Sequence, residues 1–290
     1  MDTRDSIALL AAVTATGLVA VVSVPALDPA AQYAVATMVF AAILWVSGAL
    51  PLPVTALLIP VLLAIFGVYD DLVPAIAGFA DPVVFLLLAG FVLARALQVN
   101  DIDRRIAYFV LGQLGASPSR LVLAVMVTTA LLSMVVSNTA TTAMMVPIAV
   151  SLVGQVTEVK SAREGPTSNL QIATLLGTAY AASLGGVGTL IGTPPNAIVI
   201  GQLRELTGVS ISFVDWLVIG LPMVVVTLPI AWVLILTVYP PEIDDVSRAR
   251  AKARAELTAA GQLSPAGRQV VYVFIVTAAL WLLGGLGFLF

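Results

Sequence analysis

Six neutral polar side chains crowd into ten residues of an otherwise apolar run. Ser133, Ser137, Asn138, Thr139, Thr141 and Thr142 all fall within 133–142, and residues 121–157 contain no Asp, Glu, Lys, Arg or His. Hydroxyls and an amide in hydrocarbon-like surroundings offer oxygens without charge. Such a set suits a hard monovalent cation, or hydrogen bonding to an anion. Small polar residues also join membrane helices with no ligand involved. A second concentration reads Leu-Gly-Gly-Val-Gly-Thr-Leu-Ile-Gly-Thr-Pro-Pro-Asn-Ala over 184–197. Pro194 and Pro195 cannot continue a helical ladder, and they free the carbonyls of Leu190 and Ile191. Pro147 frees the carbonyl of Ala143 in the same way, near the first cluster. With Asn196, these prolines mark the expected helix breaks. Irregular backbone at membrane depth survives only where protein or a wet cavity satisfies it. A helix interrupted there points to a transporter site more strongly than to a simple kink, for which one proline would suffice. The Gly186 and Gly188 pair has neither the preceding strand nor the following acid of a dinucleotide fingerprint.

The elements that hold these clusters must cross a membrane. The chain has 290 residues, 60% hydrophobic and 10% charged, with a mean hydropathy of +1.08. Soluble domains average about 25% charged residues, so an all-α polytopic membrane protein is expected. Absence of cysteine excludes thiolate, disulfide and iron–sulfur chemistry, and absence of histidine removes the usual proton shuttle. A net charge of −3 does not point to nucleic acid. No nucleophile–base pair or metal-ligand set is present, so an enzyme is not expected.

In chain order, residues 7–24 form a first apolar run with no small-residue cleavage signal after it, expected as a retained helix within 1–31. Runs at 32–50, up to 68, and 83–97 follow. Asp81-Pro82 reads as a helix start, and Arg95 is expected to snorkel to the interface. Residues 100–115 alternate charge with apolar positions and predict a helix lying on the membrane surface, which closes a scaffold region over 32–115. Residues 120–157 are too long for one span and polar at their centre. They predict a re-entrant hairpin whose tip is at 137–142. A charged loop covers 158–166. A broken helix over 169–206 and a span over 216–238, capped by Asp215, complete a transport half at 116–240. Residues 241–267 are expected as a cytoplasmic loop, and 268–290 as a last span. With the N-terminus cytoplasmic and the hairpin entering and leaving on one side, the inner face collects every Lys and Arg except Arg204, twelve of the 13.

The clusters at 132–147 and 185–197 resemble the divalent anion:sodium symporter family, carriers of dicarboxylates, citrate and sulfate. Support comes from Gly-Phe-Ala-Asp-Pro at 78–82 and Asp-Trp-Leu-Val-Ile-Gly-Leu-Pro at 215–222. The similarity covers most of 32–240. It implies an elevator-type secondary carrier of the wider ion-transporter superfamily. Such carriers are usually homodimers, with two inverted repeats that each supply one hairpin and one broken helix. It further implies sodium bound by Ser133, Ser137, Asn138 and backbone at Gly192, and a small anionic substrate bound by Ser137, Asn138 and Thr139 with Thr193 nearby. No cofactor beyond the coupling Na+ is implied. A multi-pass protein of the cell membrane, in contact with lipid and not with nucleic acid, is expected. Only the first repeat is present up to Phe290, so the expectation is a piece of a longer carrier or a half completed by a partner. The readings that compete are an arsenite or cation/proton carrier of the same superfamily, and a non-transporting membrane subunit.

Overall fold

The computed structural model describes residues 3–22, 24–113, 117–156 and 168–285, and every regular element among them is helical. The expected charged loop at 158–166, with Lys160 and Arg163, lies outside them. The chain forms two compact units, Met1–Pro82 and Val83–Phe290. Among the described residues six helices are long and apolar enough to cross a membrane, so the protein is polytopic.

In the first unit, α1 (Thr3–Val21) packs along α2 (Pro29–Ser47), and α2 along α3 (Leu52–Ile65). Ala12, Phe40 and Leu44 are buried between them. Asp28 caps α2 by accepting from the Ala31 N–H at 2.7 Å, with Pro29 filling the first helical position where no donor is needed. The Gln32 amide donates to the exposed end of α1, reaching the carbonyls of Val19 and Val22 at 2.9 Å. A short α4 (Leu72–Ile76) and a 3₁₀ turn (Ala77–Ala80) close this unit.

The second unit holds both polar clusters. It runs α5 (Pro82–Val99), α6 (Ile102–Gln113), α7 (Pro118–Ser133), α8 (Asn138–Val153), α9 (Asn169–Val187), α10 (Pro194–Thr207), α11 (Phe213–Val238), α12 (Ser247–Ala259) and α13 (Pro265–Gly285). α9 packs along both α7 and α8. The contact with α7 is a backbone approach: a Cβ on Gly185 would stand 2.3 Å from the Ala130 carbonyl oxygen. Sixteen residues each, α7 and α8 are about 24 Å long, short of a hydrocarbon core of about 30 Å.

Four expectations need correcting. The turn between α7 and α8 is at 134–137, so Thr139, Thr141 and Thr142 are already helical rather than at the tip. Thr141 and Thr142 return their hydroxyls to the carbonyls of Val136 and Asn138. Pro147 does not break the chain. α8 runs through it, because one missing ladder bond is tolerated where the flanking turns are intact. Ser212, not Asp215, is the N-cap of α11; Asp215 is the third helical residue of a capping box, its carboxylate accepting from the Ser212 N–H at 2.9 Å.

The fourth correction concerns 241–267, which is not a plain loop. α12 lies within it and packs on α6, burying Ala249 and Ala253 one turn apart. These two amphipathic helices cap each other. The Arg105 guanidinium donates to the carbonyls of Ala260 and Gly261, each at 2.7 Å, just past the end of α12. Arg254 and Arg250 donate to the Gly112 carbonyl at the end of α6, at 2.9 and 3.2 Å. Cationic donors at helix C-termini satisfy orphan carbonyls and oppose the negative end of the dipole.

Asp103, on α6, is 4% exposed, and burial pushes its carboxyl up despite the bond from the Arg104 N–H. The unfolded chain releases that proton near the ordinary value of about 3.9. The folded chain therefore binds more protons between there and the raised value, and stability falls as pH rises through that window. Asp103→Asn is expected to flatten the slope of thermal stability against pH in detergent. A second test concerns packing: Gly185→Ala is expected to destabilise by about 2–3 kcal/mol through forced separation of α7 and α9. Gly201→Ala, where a Cβ meets nothing within 4 Å, is expected to be neutral or slightly stabilising in the same melts.

Candidate functional site

Two interruptions of the backbone face each other. One is the turn at 134–137 between α7 and α8, and the other is the stretch at 188–193 between α9 and α10. The second precedes the proline pair. Pro194 and Pro195 are the first two residues of α10, where proline's missing N–H is harmless. Gly188 and Gly192 lie in the break and Gly185 and Gly186 in the last turn of α9, where each glycine weakens the helix by about 1 kcal/mol relative to alanine. Sequence reading placed the break on the prolines; they start the second half-helix.

Packing at the breaks leaves no room for a side chain. A Cβ on Gly186 would lie 2.2 Å from Asn138 Oδ1, and one on Gly192 would lie 2.5 Å from the Gly186 carbonyl oxygen and 3.0 Å from that of Ser133. Ser133 is fully buried at the end of α7. Its Oγ stands 2.7 Å from Asn138 Oδ1 and 2.6 Å from the Ala182 carbonyl oxygen on α9. The hydroxyl has one proton and faces two acceptors. It donates to one of them, and the Asn138 amide, turned over, would donate from its Nδ2 to Oγ; the cluster can close its own hydrogen bonds and still offer neutral oxygens to a cation.

The remaining polar groups hold the breaks in place. The Asn196 side-chain amide donates to the carbonyls of Gly186 and Thr189, both at 2.8 Å. Thr189 donates its hydroxyl to the Met134 carbonyl and so joins the two interruptions. Trp216, from α11, donates its indole N–H to the Val187 carbonyl at 2.9 Å. These three residues buckle the site. Asn196 was read from sequence only as part of a break, and Thr189 and Trp216 were not singled out. Position 196, third in a helix opened by two prolines, was the one available signal for Asn196.

Of the sequence-derived residues, Ser133, Asn138 and Gly192 come together around Gly186. Ser137 is the N-cap of α8, its Oγ accepting from the Ala140 N–H at 3.4 Å. Thr139 is exposed one residue into α8. Thr193 is the half-buried N-cap of α10 and makes no capping bond with its side chain. The C-terminal ends of α7 and α9 thus meet the N-terminal ends of α8 and α10. Partial negative and partial positive ends lie side by side, which places cation-favouring and anion-favouring backbone at one locus. Among the described residues no cluster of three acidic, His or Cys side chains could hold a metal ion, and the oxygens gathered at the breaks are neutral.

An all-helical polytopic protein with two interrupted helices buckled together is the class this fold and site define. Residues 3–287 match the family described as sodium:sulfate symporter transmembrane region, and the chain belongs to that family. An uncharacterized transporter of Haemophilus influenzae is 38% identical over 216 residues, 74% of this chain and 44% of that protein. The sodium-dependent dicarboxylate transporter SdcS of Staphylococcus saprophyticus is 33% identical over 241 residues, 82% of this chain and 46% of that protein. SdcS of Staphylococcus aureus strain USA300 is 31% identical over 253 residues, 86% and 48% respectively. The chain spans about half the length of the curated relatives it matches.

Replacing Asn196 by Asp keeps its shape but removes both donated bonds. Two buried carbonyls lose partners, and destabilisation of about 2 kcal/mol is expected in thermal melts. Asn196→Gln tests whether reach as well as donors matters.

Proposed function

We propose that this chain is the first-repeat half of a sodium-coupled secondary carrier for a divalent anion, a dicarboxylate, citrate or sulfate. The observation that carries the reading is the gathering of neutral polar groups at the two breaks, the Ser133 hydroxyl standing 2.7 Å from the Asn138 side-chain oxygen and 2.6 Å from the Ala182 carbonyl oxygen. Ser133, Ser137, Asn138 and backbone at Gly192 are the sodium ligands. Ser137, Asn138 and Thr139, at the positive end of α8, take one carboxylate or sulfate edge, with Thr193 alongside. Pro194 and Pro195 bring no N–H groups to the start of α10, so there the anion meets the Thr193 hydroxyl instead of a fork of amides. The family relationship and the sodium-dependent dicarboxylate transport named for the SdcS relatives support the same substrate class.

Electrical work sets the demand on coupling. Moving a dianion inward against 100 mV costs about 4.6 kcal/mol, about 2.3 kcal/mol per charge. Two sodium ions only cancel that electrical term. One neutral site in one repeat is insufficient, so the whole carrier uses a second, inverted repeat with its own sodium site. It moves as an elevator within a homodimer, with the N-terminus on the cytoplasmic side of the cell membrane. A proton-coupled alternative is disfavoured, because no titratable side chain lies in either cluster.

The test is sodium-dependent uptake in vesicles holding the whole carrier. Asn138→Ala is expected to raise the half-saturating sodium concentration about tenfold, the loss of roughly one good ligand. Unchanged sodium dependence would remove Asn138 from the site.

A further inference from the structure

Arg95 is the one cation within the apolar span α5. Charge in such a span is expensive and marks a function unless the side chain escapes to the interface. Arg95 is exposed, as a snorkelling side chain would be. It lines a cavity of about 330 Å³ together with Gln98, Phe91 and Ala94 of α5 and Val136, Ser137 and Ala140 of the hairpin. That volume is within the range of small-molecule pockets, about 300–1,000 Å³. None of the lining residues is acidic. Within hydrogen-bond distance the guanidinium meets Gln98 Oε1 at a long 3.4 Å, and among the described residues Arg95 forms no ion pair. A guanidinium with most of its donors uncommitted, an amide and a serine hydroxyl therefore share one open space free of competing carboxylates.

We infer that Arg95, Gln98 and Ser137 form an anion-accepting subsite in which a dicarboxylate or sulfate docks beside the hairpin before or after occupying the neutral site. The inference deepens the proposed function and rests on it for the identity of the anion. Chemistry favours this occupant. A planar guanidinium pairs with a carboxylate or sulfate edge through two parallel bonds, and an attracted dianion gains more than a monoanion. Ser137 belongs to both places, as wall of the cavity and as N-cap of α8. An anion held by Arg95 thus reaches the neutral site without losing contact with the hydroxyl. The subsite supplies a full positive charge that the neutral cluster lacks. It is set on α5, so motion of the hairpin against α5 would make or break it.

The absence of cysteine from the chain allows a direct test. A single Phe91→Cys, on the exposed wall of the cavity, is alkylated with a charged maleimide in phosphatidylcholine vesicles without sodium. Succinate or sulfate is expected to slow that alkylation severalfold. Arg95→Gln in the same background is expected to abolish the protection, and Arg95→Lys to keep part of it. In the whole carrier, Arg95→Gln is expected to raise KM for the dianion about tenfold with half-saturating sodium unchanged, the effect of one lost charge-assisted pair. Protection that is absent in the Phe91→Cys chain, or that persists in Arg95→Gln with an unaltered melt, overturns the subsite. If Arg95→Gln fails to fold, the Arg95→Lys pair of measurements decides: protection and KM identical to those of the parent overturn it. Because protection is read without sodium, the subsite can fail while sodium-coupled uptake stands, and uptake can prove sodium-independent while protection stands.

Discussion

Backbone that leaves the helix inside an apolar protein must have its polar groups satisfied by the protein itself. The second unit of this chain is organised around that constraint. Two stretches, 134–137 and 188–193, are non-helical and largely surrounded by apolar helices. Alone, each would orphan several carbonyls. Set against each other, they share partners: Asn196 and Trp216 take carbonyls of the second break, Thr189 reaches back to the first, and Ser133 crosses to α9. Glycine makes the close approach possible. At Gly185, Gly186 and Gly192 the space for a Cβ is already occupied by backbone or by Asn138. The site is therefore a product of packing density as much as of hydrogen bonding.

The same arrangement explains why this locus is neutral. Helix ends supply partial charges without ionisable groups, so they cost less to bury than a carboxylate or ammonium. Two negative ends and two positive ends at one place allow a cation and an anion to be held near each other, each lowering the cost of the other. On the proposed function this pairing is what couples sodium to substrate. The full charge carried by Arg95 stands apart from the buckled breaks, in the open cavity beside them, where solvation is cheaper.

Elements away from the breaks show where sequence patterns are strong and where they fail. The spans α1, α2, α5, α9, α11 and α13 follow from apolar length, which bilayer thickness translates directly into a helix. α12 was hidden by its charge. Its Arg, Lys, Glu and Ala residues are good helix formers, and Ala249 and Ala253 at i, i+4 mark its buried face, yet the segment was read as a loop because it is polar. Its docking on α6 depends on reciprocal capping between residues roughly 140–155 positions apart, which no local pattern displays. Pro147 was misread for a related reason. Proline weakens a helix locally, but the packing of α8 decides whether the weakness becomes a break.

What the sequence determined by itself was the class of the protein and the two places where polar residues interrupt apolar runs, and it singled out Ser133, Asn138 and Gly192, which the fold brings together. Composition and hydropathy suffice for the first two because they sum over many residues, and the family resemblance carried the third. Tertiary structure alone decided which groups meet: Ser133 with Ala182 across 49 residues, Asn138 on Gly186, and Asn196 bridging Gly186 and Thr189. It also decided that the prolines start the second half-helix, and that Arg95 lines a cavity with Ser137. The physical reason is one of range. Helix propensity and hydrophobic length act over a few residues and are written in local order, whereas satisfying a buried carbonyl depends on whichever donor the fold brings within 3 Å.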